Sequence, residues 1–381
     1  MEFPLSFALD GGSNVEGKGA IDEESLSLTS LGESLRIPLR DIETITPADY
    51  KVGIRLSNGN VLISGLGYGY EDFIRELCFA RNELILKDML GLEKLVMGQV
   101  KAECELKTES NEAKGPCELR VYETALVVLP VSGEVARFPF CEIAEVGQEG
   151  FSIIVSGEYG DKLTISSLGG MMDPFRKALS ESMNALSLKA QKILKEAAPN
   201  ADSLAITKAA RLMRDGKAAR RADLDWISPA IWPGLVKKIE KAGLGKEYEI
   251  LEKITKKEQM CIGVKRSLMG DMEGEYIWIL APLKGRIALE ATSEEESGRA
   301  TYLFKASGNS EESLISDVRT INRCMIAINF RREPVYIGED DPKYEEYRFS
   351  IARLPQLRKL RSMFIKRVIH NENWEKNLLG E

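Results

Sequence analysis

The chain has 381 residues, of which 44% are hydrophobic and 29% charged, with a net charge of −7; this composition is typical of a globular protein of two or more domains. No apolar run approaches the roughly 18 residues of a membrane-spanning helix, and no basic residue precedes the N-terminal apolar run, so no secretory signal is expected. Six scattered cysteines without CxxC spacing predict reduced thiols in a cytoplasmic protein. The single histidine, His370, excludes multi-histidine metal sites and would have to serve any histidine-dependent triad alone. We therefore predict no metal, no cofactor and no catalytic residue.

The first 64 residues predict seven short strands, separated by Gly, Asn, Asp and Ser. They lie in FPLSFAL, KGAI, SLSLTS, SLRIPL, IETI, YKVGIRL and NVLIS. Ser57-Asn58-Gly59 predicts a hairpin turn between the last two, which makes the sheet antiparallel. Phe73, Leu77, Ala80 and Leu84 then recur at helical spacing and predict a closing helix.

The junction between these strands and the helix, ISGLGYGYEDF at 63–73, has a glycine at every second position. An equivalent stretch, ISSLGGMMDPF, occurs at 165–175, and LRIPLRDIETI at 35–45 likewise matches ARFPFCEIAEV at 136–146. The offsets are 102 and 101, so we predict a duplication with one extra residue near EYGD. Only Gly67 has a glycine counterpart, Gly169, and the spacing is not that of a dinucleotide-binding loop. We therefore predict a backbone corner in which these two glycines adopt positive φ.

The second copy predicts strands in LVMGQVKAECEL, CELRVYE, ALVVLPV, EVARFPF, FSIIVSG and KLTIS, followed by a helix over 172–195. This order of strands and a final helix resembles the pleckstrin-homology-like (PH-like) superfamily over residues 1–197. The resemblance implies a small antiparallel barrel closed by its helix, and binding of phosphoinositides, peptides or protein surfaces; tandem copies also occur in histone chaperones. The loops that would bind a headgroup contain only Lys18 in copy one and Lys107 and Lys114 in copy two. Phosphoinositide or membrane binding is therefore not expected, whereas peptide capture at an open sheet edge remains an alternative.

Residues 176–250 predict short helices punctuated by proline and glycine. Residues 203–250 have a net charge of +4, whereas residues 1–100 have −7. Five basic residues are concentrated in this segment, namely Arg211, Arg214, Lys217, Arg220 and Arg221. They are interpreted either as a solvated helical linker or as a contact for an acidic partner, with protein ahead of nucleic acid.

From residue 257 the pattern predicts a third β-rich unit with poorly alternating, buried strands, then helices near 310–330 and 354–369. In the last helix Leu357, Leu360, Phe364 and Val368 are predicted to face inward, and His370 to follow its C-terminal end. Arg358 and Arg361 lie beside that stripe, either as solvated flanks or as partner contacts. Strands followed by a helix also leave a diverged third copy open.

These observations predict a multidomain α+β protein. It has two tandem PH-like modules (1–91 and 92–198), each an antiparallel barrel or sandwich capped by a C-terminal helix, then a helical linker or subdomain (199–256) and a C-terminal α+β domain (257–381). The predicted function is a non-enzymatic protein–protein interaction scaffold or signalling adaptor. One alternative is a nucleic-acid or chromatin-type binding protein that uses the basic segment 208–221 and the basic C-terminal helix. A second alternative is a hydrolase that uses carboxylates alone. The sequence predicts neither the partner's identity nor the oligomeric state.

Overall fold

The computed structural model describes residues 2–32, 34–89, 93–109, 112–131, 134–266, 275–292 and 299–379. Within these residues the protein is a mixed α+β structure with three antiparallel sheets and eleven α-helices. It divides into an N-terminal unit (2–89, 95–138 and 142–179) and a C-terminal unit (mainly 180–379). None of the described helices is long and apolar enough to cross a membrane.

Module one (residues 2–89) is a seven-stranded sheet followed by one helix, as the sequence predicts. The strands are β1 (Glu2–Leu9), β2 (Val15–Ile21), β3 (Ser25–Ser30), β4 (Ser34–Pro38), β5 (Ile42–Ala48), β6 (Lys51–Leu56) and β7 (Gly59–Ser64), and the helix is α1 (Tyr70–Asp88). The sheet order is β4-β3-β2-β1-β7-β6-β5. Ser57 and Asn58 form the predicted β6–β7 turn, because Leu56 pairs with Gly59.

Module two (residues 95–197) repeats this arrangement. Its strands are β8 (Leu95–Lys107), β9 (Glu112–Tyr122), β10 (Ala125–Pro130), β11 (Ala136–Pro139), β12 (Ile143–Glu149), β13 (Ser152–Gly157) and β14 (Lys162–Ser166), and its helix is α2 (Met172–Ala197). The order β11-β10-β9-β8-β14-β13-β12 matches that of module one strand for strand. The residues of α2 from 180 onward belong to the C-terminal unit.

The strand registers confirm the duplication and locate its extra residue. Val52 pairs with Ile63 in module one, and Ile153 pairs with Ile165 in module two. These pairs are related by offsets of 101 and 102, so the insertion lies between them. The β13–β14 turn holds three residues, 158–160, because the Gly157 N–H donates to Asp161 O, whereas the β6–β7 turn holds two. The predicted position near EYGD is correct.

Helix α1 covers its sheet with the apolar face that its spacing predicts. Phe73 and Leu77 on α1 are fully buried, and the Phe73 ring contacts Phe3 edge-on with 5.2 Å between the ring centroids. Arg81, on the same helix, is 2% exposed and donates to the carbonyl oxygens of Ile42 and Glu43 at 3.1–3.3 Å. These hydrogen bonds satisfy two carbonyl groups at the start of β5, an edge strand on which they would otherwise lack partners.

The C-terminal unit contains a six-stranded sheet and most of the helices. Its strands are β15 (Ala219–Arg220), β16 (Cys261–Arg266), β17 (Glu275–Leu283), β18 (Arg286–Thr292), β19 (Ala300–Lys305) and β20 (Phe364–Ile369). Its helices are α3 (Ser203–Leu212), α4 (Arg221–Ile227), α5 (Ile231–Lys241), α6 (Gly245–Ile254), α7 (Glu311–Ala327), α8 (Glu333–Tyr336), α9 (Tyr344–Arg353), α10 (Pro355–Met363) and α11 (Trp374–Leu379). The strands pair in sequence order from β15 to β20. This order differs from that of the modules, so the sheet is not a third copy of their pattern.

Strands β17 and β19 are buried on both faces, as their poor alternation predicts. On one face, Ile277, Ile279 and Leu303 share a single core with Ile206 of α3 and Leu235 of α5. The helices predicted as a linker therefore pack directly on the third sheet. The amphipathic pattern of these helices is explained by the apolar side that they bury against this face of the sheet.

The prediction that the last helix continues to residue 369 is wrong for residues 364–369. Helix α10 ends at Met363, and residues 364–369 form β20, which pairs with β19 through Thr301–Val368 and Leu303–Lys366. Phe364 and Val368 thus lie on a strand rather than on the inward stripe of a helix. The β-branched Ile365, Val368 and Ile369 favour this outcome, because such side chains fit a strand better than a helix. His370 consequently follows a strand and does not interact with a helix C-terminus.

Candidate functional site

The basic residues predicted between 208 and 221 are divided between exposed and internally bonded positions. Arg211 lies exposed in the last turn of α3. Arg220 donates to both carboxylate oxygens of Asp223 at 2.7 and 2.9 Å. Arg221 bonds Asp225 and Glu252 at 3.2 and 3.1 Å. The guanidinium groups of Arg220 and Arg221 already have carboxylate partners, so they would contribute less binding free energy to an external anion.

The middle of this segment enters the core of the C-terminal unit. Asp215 is buried and forms a 2.7 Å ion pair with Lys265, which is equally buried. The next residue, Gly216, accepts the indole N–H of Trp278 at 2.7 Å. The backbone N–H and C=O of Ala218 are both bonded by the amide of Asn322. These contacts assign much of the segment a structural role, and the half-buried Arg214 and Lys217 lie within it.

The two predicted residues of α10 bond backbone carbonyl groups. Arg361 donates to Pro334 O and Ile337 O at 2.7 and 2.9 Å, at the C-terminal end of α8. Arg358 donates to Ala352 O near the end of α9. Guanidinium groups in these places satisfy the carbonyls that a helix leaves unpaired at its C-terminus.

The C-terminal unit also contains an open cleft of about 560 Å³ with a mixed charged lining. Its lining residues are Glu196, Ala197, Gly234, Lys237, Lys238, Lys241, Ala242, Glu275, Ile277, Thr292 and Arg299. The two carboxylates do not form a free acid pair, because Arg266 bonds both and Lys238 bonds Glu275 at 2.8 Å. The Arg266 hydrogen bond lowers the pKa of Glu196 below its ordinary value. A carboxyl group with a lowered pKa is a poor general acid near neutral pH.

His370 lies between two glutamates inside the C-terminal unit. Its Nε2 is 3.1 Å from Glu290 Oε2, and its Nδ1 is 3.4 Å from Glu247 Oε1. Glu290 is fully buried and accepts the hydroxyl of Thr301 at 2.5 Å, and Trp374 donates its indole N–H to the same hydroxyl. Thr301 is also fully buried, whereas the side chains of His370 and Glu247 are 15% and 14% exposed. This network joins α6, β18, β19 and the segment after β20.

The N-terminal unit has the opposite charge and exposed aromatic side chains. Residues 1–179 contain 29 acidic and 17 basic residues, a net charge of −12, whereas residues 180–381 have +5. Tyr50, at the tip of the β5–β6 hairpin, is 78% exposed, and its ring centroid is 5.5 Å from that of Tyr70, the first residue of α1. Tyr68, on the turn before α1, is fully exposed. Tyr50 and Tyr68 are thus two exposed aromatic side chains of module one.

The tip of this hairpin adopts a backbone conformation that a tyrosine rarely takes. Asp49 and Tyr50 have φ of 49° and 56° and form the two-residue turn between β5 and β6. Turns with positive φ at both positions favour Asn-Gly or Asp-Gly, and a bulky residue there is strained. Glycine at position 50 would remove this strain. Strain of this kind is a reason to suspect function.

Carboxylates make the surroundings of the two rings negative. Partial burial is the largest cause that raises the pKa of Tyr70, and the neighbouring charges of Glu71 and Asp49 raise it further. Among the described residues, neither Asp49 nor Glu71 has a cation within ion-pair distance, whereas Asp72 is bonded to Arg75 at 2.6 Å. We name Asp49, Tyr50, Tyr70 and Glu71 the aromatic corner. It combines aromatic faces with unpaired negative charge, which is the chemistry that binds a cationic side chain.

Module two has a hairpin with a turn of the same length but a different corner, and only module one has positive φ at the second turn residue. Phe151 occupies the position of Tyr50, at the offset of 101, and is 92% exposed. Gly150 stands where module one has Asp49. Asp173, the counterpart of Glu71, lies 3.7 Å from Arg176, which also donates to Gln148 at 2.7 Å. Module two therefore has no unpaired carboxylate at these two positions, although the exposed Glu149 precedes its turn, and it provides a comparison for module one.

The sequence contains a signal for this site. Tyr50 and Phe151 fall at the repeat offset, and an aromatic residue at the tip of both hairpins has no role in either core. The contact between Tyr50 and Tyr70 depends on how the hairpin bends over the start of α1, which spacing alone does not predict.

No protein-family model matches the chain, and no curated protein sequence matches it. Among solved structures it is similar to a chain of the structure titled "Structure of the Spt16D Pob3N heterodimer", with 18% sequence identity. The match covers 41% of this chain and 82% of that chain, with a TM-score of 0.19. A TM-score this low does not establish a shared fold, so the architecture rests on the strand order and registers described above.

Proposed function

We propose that the protein is a non-enzymatic interaction protein, a scaffold or adaptor, whose N-terminal unit consists of two PH-like modules. The order of seven strands and a closing helix in each module supports this assignment. The partner is a protein with an exposed basic segment, and the aromatic corner of module one binds a lysine or arginine side chain of that segment. The observation that carries the proposal is the contact of Tyr50 with Tyr70 beside two unpaired carboxylates.

The charge of the N-terminal unit supports a basic partner. A net charge of −12 accelerates the approach of a basic polypeptide and repels an acidic one. At the corner, a cation over a tyrosine ring contributes about 0.5–2 kcal/mol, depending on how far it is desolvated. The charge determines the class of partner, and the corner supplies a specific anchor.

The test is equilibrium binding of a fluorescent lysine- and arginine-rich peptide to the full-length protein. Tyr50→Ala should weaken binding about 2- to 30-fold, which is the range of one cation–π contact. Asp49→Asn should also weaken it, because asparagine tolerates the left-handed turn and only the charge is lost. Phe151→Ala is the matched control and should bind as the unmodified protein does.

Two results would contradict this proposal. One is equal affinity for all of these variants, and the other is equal affinity for an acidic peptide of the same length. If binding weakens with added salt but ignores Tyr50, the N-terminal unit attracts cations without using the corner.

A second candidate function is nucleic-acid binding by the C-terminal unit, favoured by its net charge of +5 and the exposed Arg211. A mobility shift whose affinity falls steeply with salt would support it. Arg211→Ala should then reduce the salt dependence. No shift at low salt would exclude it.

A further inference from the structure

Strand β20 is an open edge of the third sheet. It has six residues and pairs with β19 on one side only. The opposite edge of the sheet is β15, which has two residues. A short edge strand offers little to a partner, whereas a longer one presents a row of unpaired backbone groups. β20 is therefore the edge of this sheet at which a further strand can add.

A backbone hydrogen bond just beyond β20 determines which of its backbone groups face β19. The His370 N–H donates to Arg299 O at 3.2 Å. Facing residues of an antiparallel ladder alternate between pairs that exchange both hydrogen bonds and pairs that exchange none. Ile369 and Arg367 lie one and three positions before His370, so they belong to pairs that are not bonded. Their N–H and C=O groups therefore point away from β19.

The hydrogen bonds on the other side of β19 agree with this assignment. The Ala306 N–H donates to Gly285 O at 3.1 Å, so the even-numbered residues of β19 bond to β18. Ala300 and Tyr302, which lie opposite the two outward residues of β20, are even-numbered. Within the described part of the chain, nothing bonds the outward N–H and C=O groups of residues 367 and 369.

The side chains of β20 are basic and apolar. Ile365 and Ile369 are 47% and 53% exposed, and Lys366 and Arg367 between them are also exposed. Lys366 donates to a backbone oxygen of α11 at 2.9 Å. The guanidinium carbon of Arg367 lies 4.5 Å from the ring centroid of Tyr336. Neither cation has a carboxylate within ion-pair distance among the described residues, so both retain their charge for a partner.

We propose that β20 binds an extended acidic segment of a partner protein, which adds to the third sheet as a seventh strand. Main-chain hydrogen bonds at Arg367 and Ile369 hold the segment. Carboxylates beside Lys366 and Arg367 select it, because opposite charges on neighbouring strands attract. This surface lies outside the two modules, and its partner is opposite in charge to the one proposed for the aromatic corner.

A second copy of this chain and a nucleic acid fit the edge less well. Two β20 strands paired with each other would place the cations of one copy beside those of the other, and like charges in facing positions destabilise a sheet. Basic side chains on an edge strand protect a protein against such self-pairing. A nucleic acid meets the same cations, but it has no ladder of N–H and C=O groups to match Arg367 and Ile369.

The test is binding of a fluorescent peptide that alternates valine with glutamate to the full-length protein. A peptide that alternates valine with glutamine is the matched control and should bind about 2- to 30-fold more weakly, the range of two cross-strand charge pairs. A third peptide has the glutamate sequence with methylated backbone nitrogens. It keeps its charge but cannot donate the hydrogen bonds of a strand, so it should not bind. Tyr50→Ala should leave the affinity for the glutamate peptide unchanged, because the aromatic corner is a different surface.

Hydrogen exchange at single-residue resolution locates the binding. In the free protein the amides of Arg367 and Ile369 should exchange faster than those of Val368 and His370, because only the latter two donate within the sheet. The glutamate peptide should slow exchange at Arg367 and Ile369 and leave Val368 unchanged.

Variants of β20 separate the backbone from the charge. Ile369→Pro removes one outward N–H and leaves the ladder to β19 intact, so it should weaken binding about 2- to 10-fold. Ile369→Val keeps the N–H and should bind as the unmodified protein does. Lys366→Gln removes one charge and should weaken binding of the glutamate peptide by up to about 5-fold, but not that of the glutamine peptide.

Several results would overturn the proposal. One is fast exchange at Arg367 and Ile369 in the presence of saturating glutamate peptide. Others are equal affinity for the glutamate and glutamine peptides, or tight binding of the methylated peptide. A single-stranded oligonucleotide that slows exchange at the same two amides would assign the cations to nucleic acid instead.

The state of the free protein is a further check. Slow exchange of both outward amides without any peptide would show that the edge is covered, and loss of that protection on dilution would identify the cover as a second copy. If Ile369→Pro does not fold, as judged by circular dichroism, hydrogen exchange of the unmodified protein decides the question.

Discussion

Gly263 on β16 has no room for a side chain, so Gly263→Ala should destabilise the C-terminal unit. An added Cβ would lie 2.0 Å from the indole nitrogen of Trp278 and 2.4 Å from Gly216 O. These are the two atoms of the hydrogen bond that closes the buried turn at Gly216. Trp278 is fully buried and its ring contacts Phe330 at 5.3 Å, so the indole cannot move aside without disturbing the core.

The expected loss has two parts. A buried donor left without its acceptor costs about 1–3 kcal/mol, and overpacking of a dense core costs about 1–3 kcal/mol. The sum is about 4 kcal/mol. For a unit of this size each kcal/mol lowers Tm by roughly 2–4 °C, so we expect a fall of about 8–16 °C.

Differential scanning calorimetry of the full-length protein is the assay, and near-ultraviolet circular dichroism reports the Trp278 environment. Gly338→Ala is the matched control, because nothing lies within 4 Å of its added Cβ and its φ is not positive. It should change stability by less than about 1 kcal/mol. If Gly263→Ala unfolds at the same temperature as Gly338→Ala, the close approach of β16 to the indole is not a constraint.

Two further predictions concern module one. Arg81→Met keeps the side-chain volume but removes the donors to Ile42 O, so we expect a loss of about 2 kcal/mol, measured by urea unfolding; an unchanged midpoint would show that water replaces the guanidinium. Asp22 accepts the backbone N–H of Glu24 and Ser25 at 2.8 and 2.6 Å, and the Glu24 bond is the largest cause that lowers its pKa from 3.8. The carboxylate of Asp22 therefore stabilises the fold above about pH 4, and this stabilisation is lost as the pH falls through the pKa of Asp22 in the folded protein. Asp22→Asn should flatten the decline of Tm below pH 4. An unaltered decline would show that other carboxyl groups cause it.

The sequence predicts local elements well where one periodicity is unambiguous. All seven strands of module one and the insertion near residue 158 follow from alternating patterns and the repeat. Residues 364–369 fail because Leu357, Leu360, Phe364 and Val368 fit helical spacing while the pairing partner, β19, lies about sixty residues away in sequence. A long-range strand pairing overrides local spacing, and no window of the sequence contains it.

The candidate site is harder to predict, because whether a charged side chain is free or bonded depends on which residues the fold brings next to it. From its sequence the basic segment 208–221 is interpreted as a contact surface. In the structure Arg220 and Arg221 are bonded to carboxylates, and Asp215 forms an ion pair with Lys265. The same limit concealed the aromatic corner, since its two tyrosines are twenty residues apart and touch only when the hairpin bends over the helix. Composition indicated that the N-terminal half is acidic, but only the structure indicates which carboxylates lack cations.

The glycine corner separates what the fold requires from what each copy has added. Gly65 has φ of 72°, and its counterpart in module two, Ser167, has φ of 59°. Gly67 and Gly169 have nearly equal values of 52° and 53°. Because a serine retains the left-handed conformation, the strand-to-helix turn imposes that conformation, and no phosphate is needed to explain the glycines. Other positions differ in chemistry between the two modules. Module one has Asp49 where module two has Gly150, and it has Phe7 and Gly17 where module two has Cys104 and Cys117. The order of strands is shared by both modules, so we expect a property specific to one module to depend on such differences, and exchanging these residues between the copies tests this.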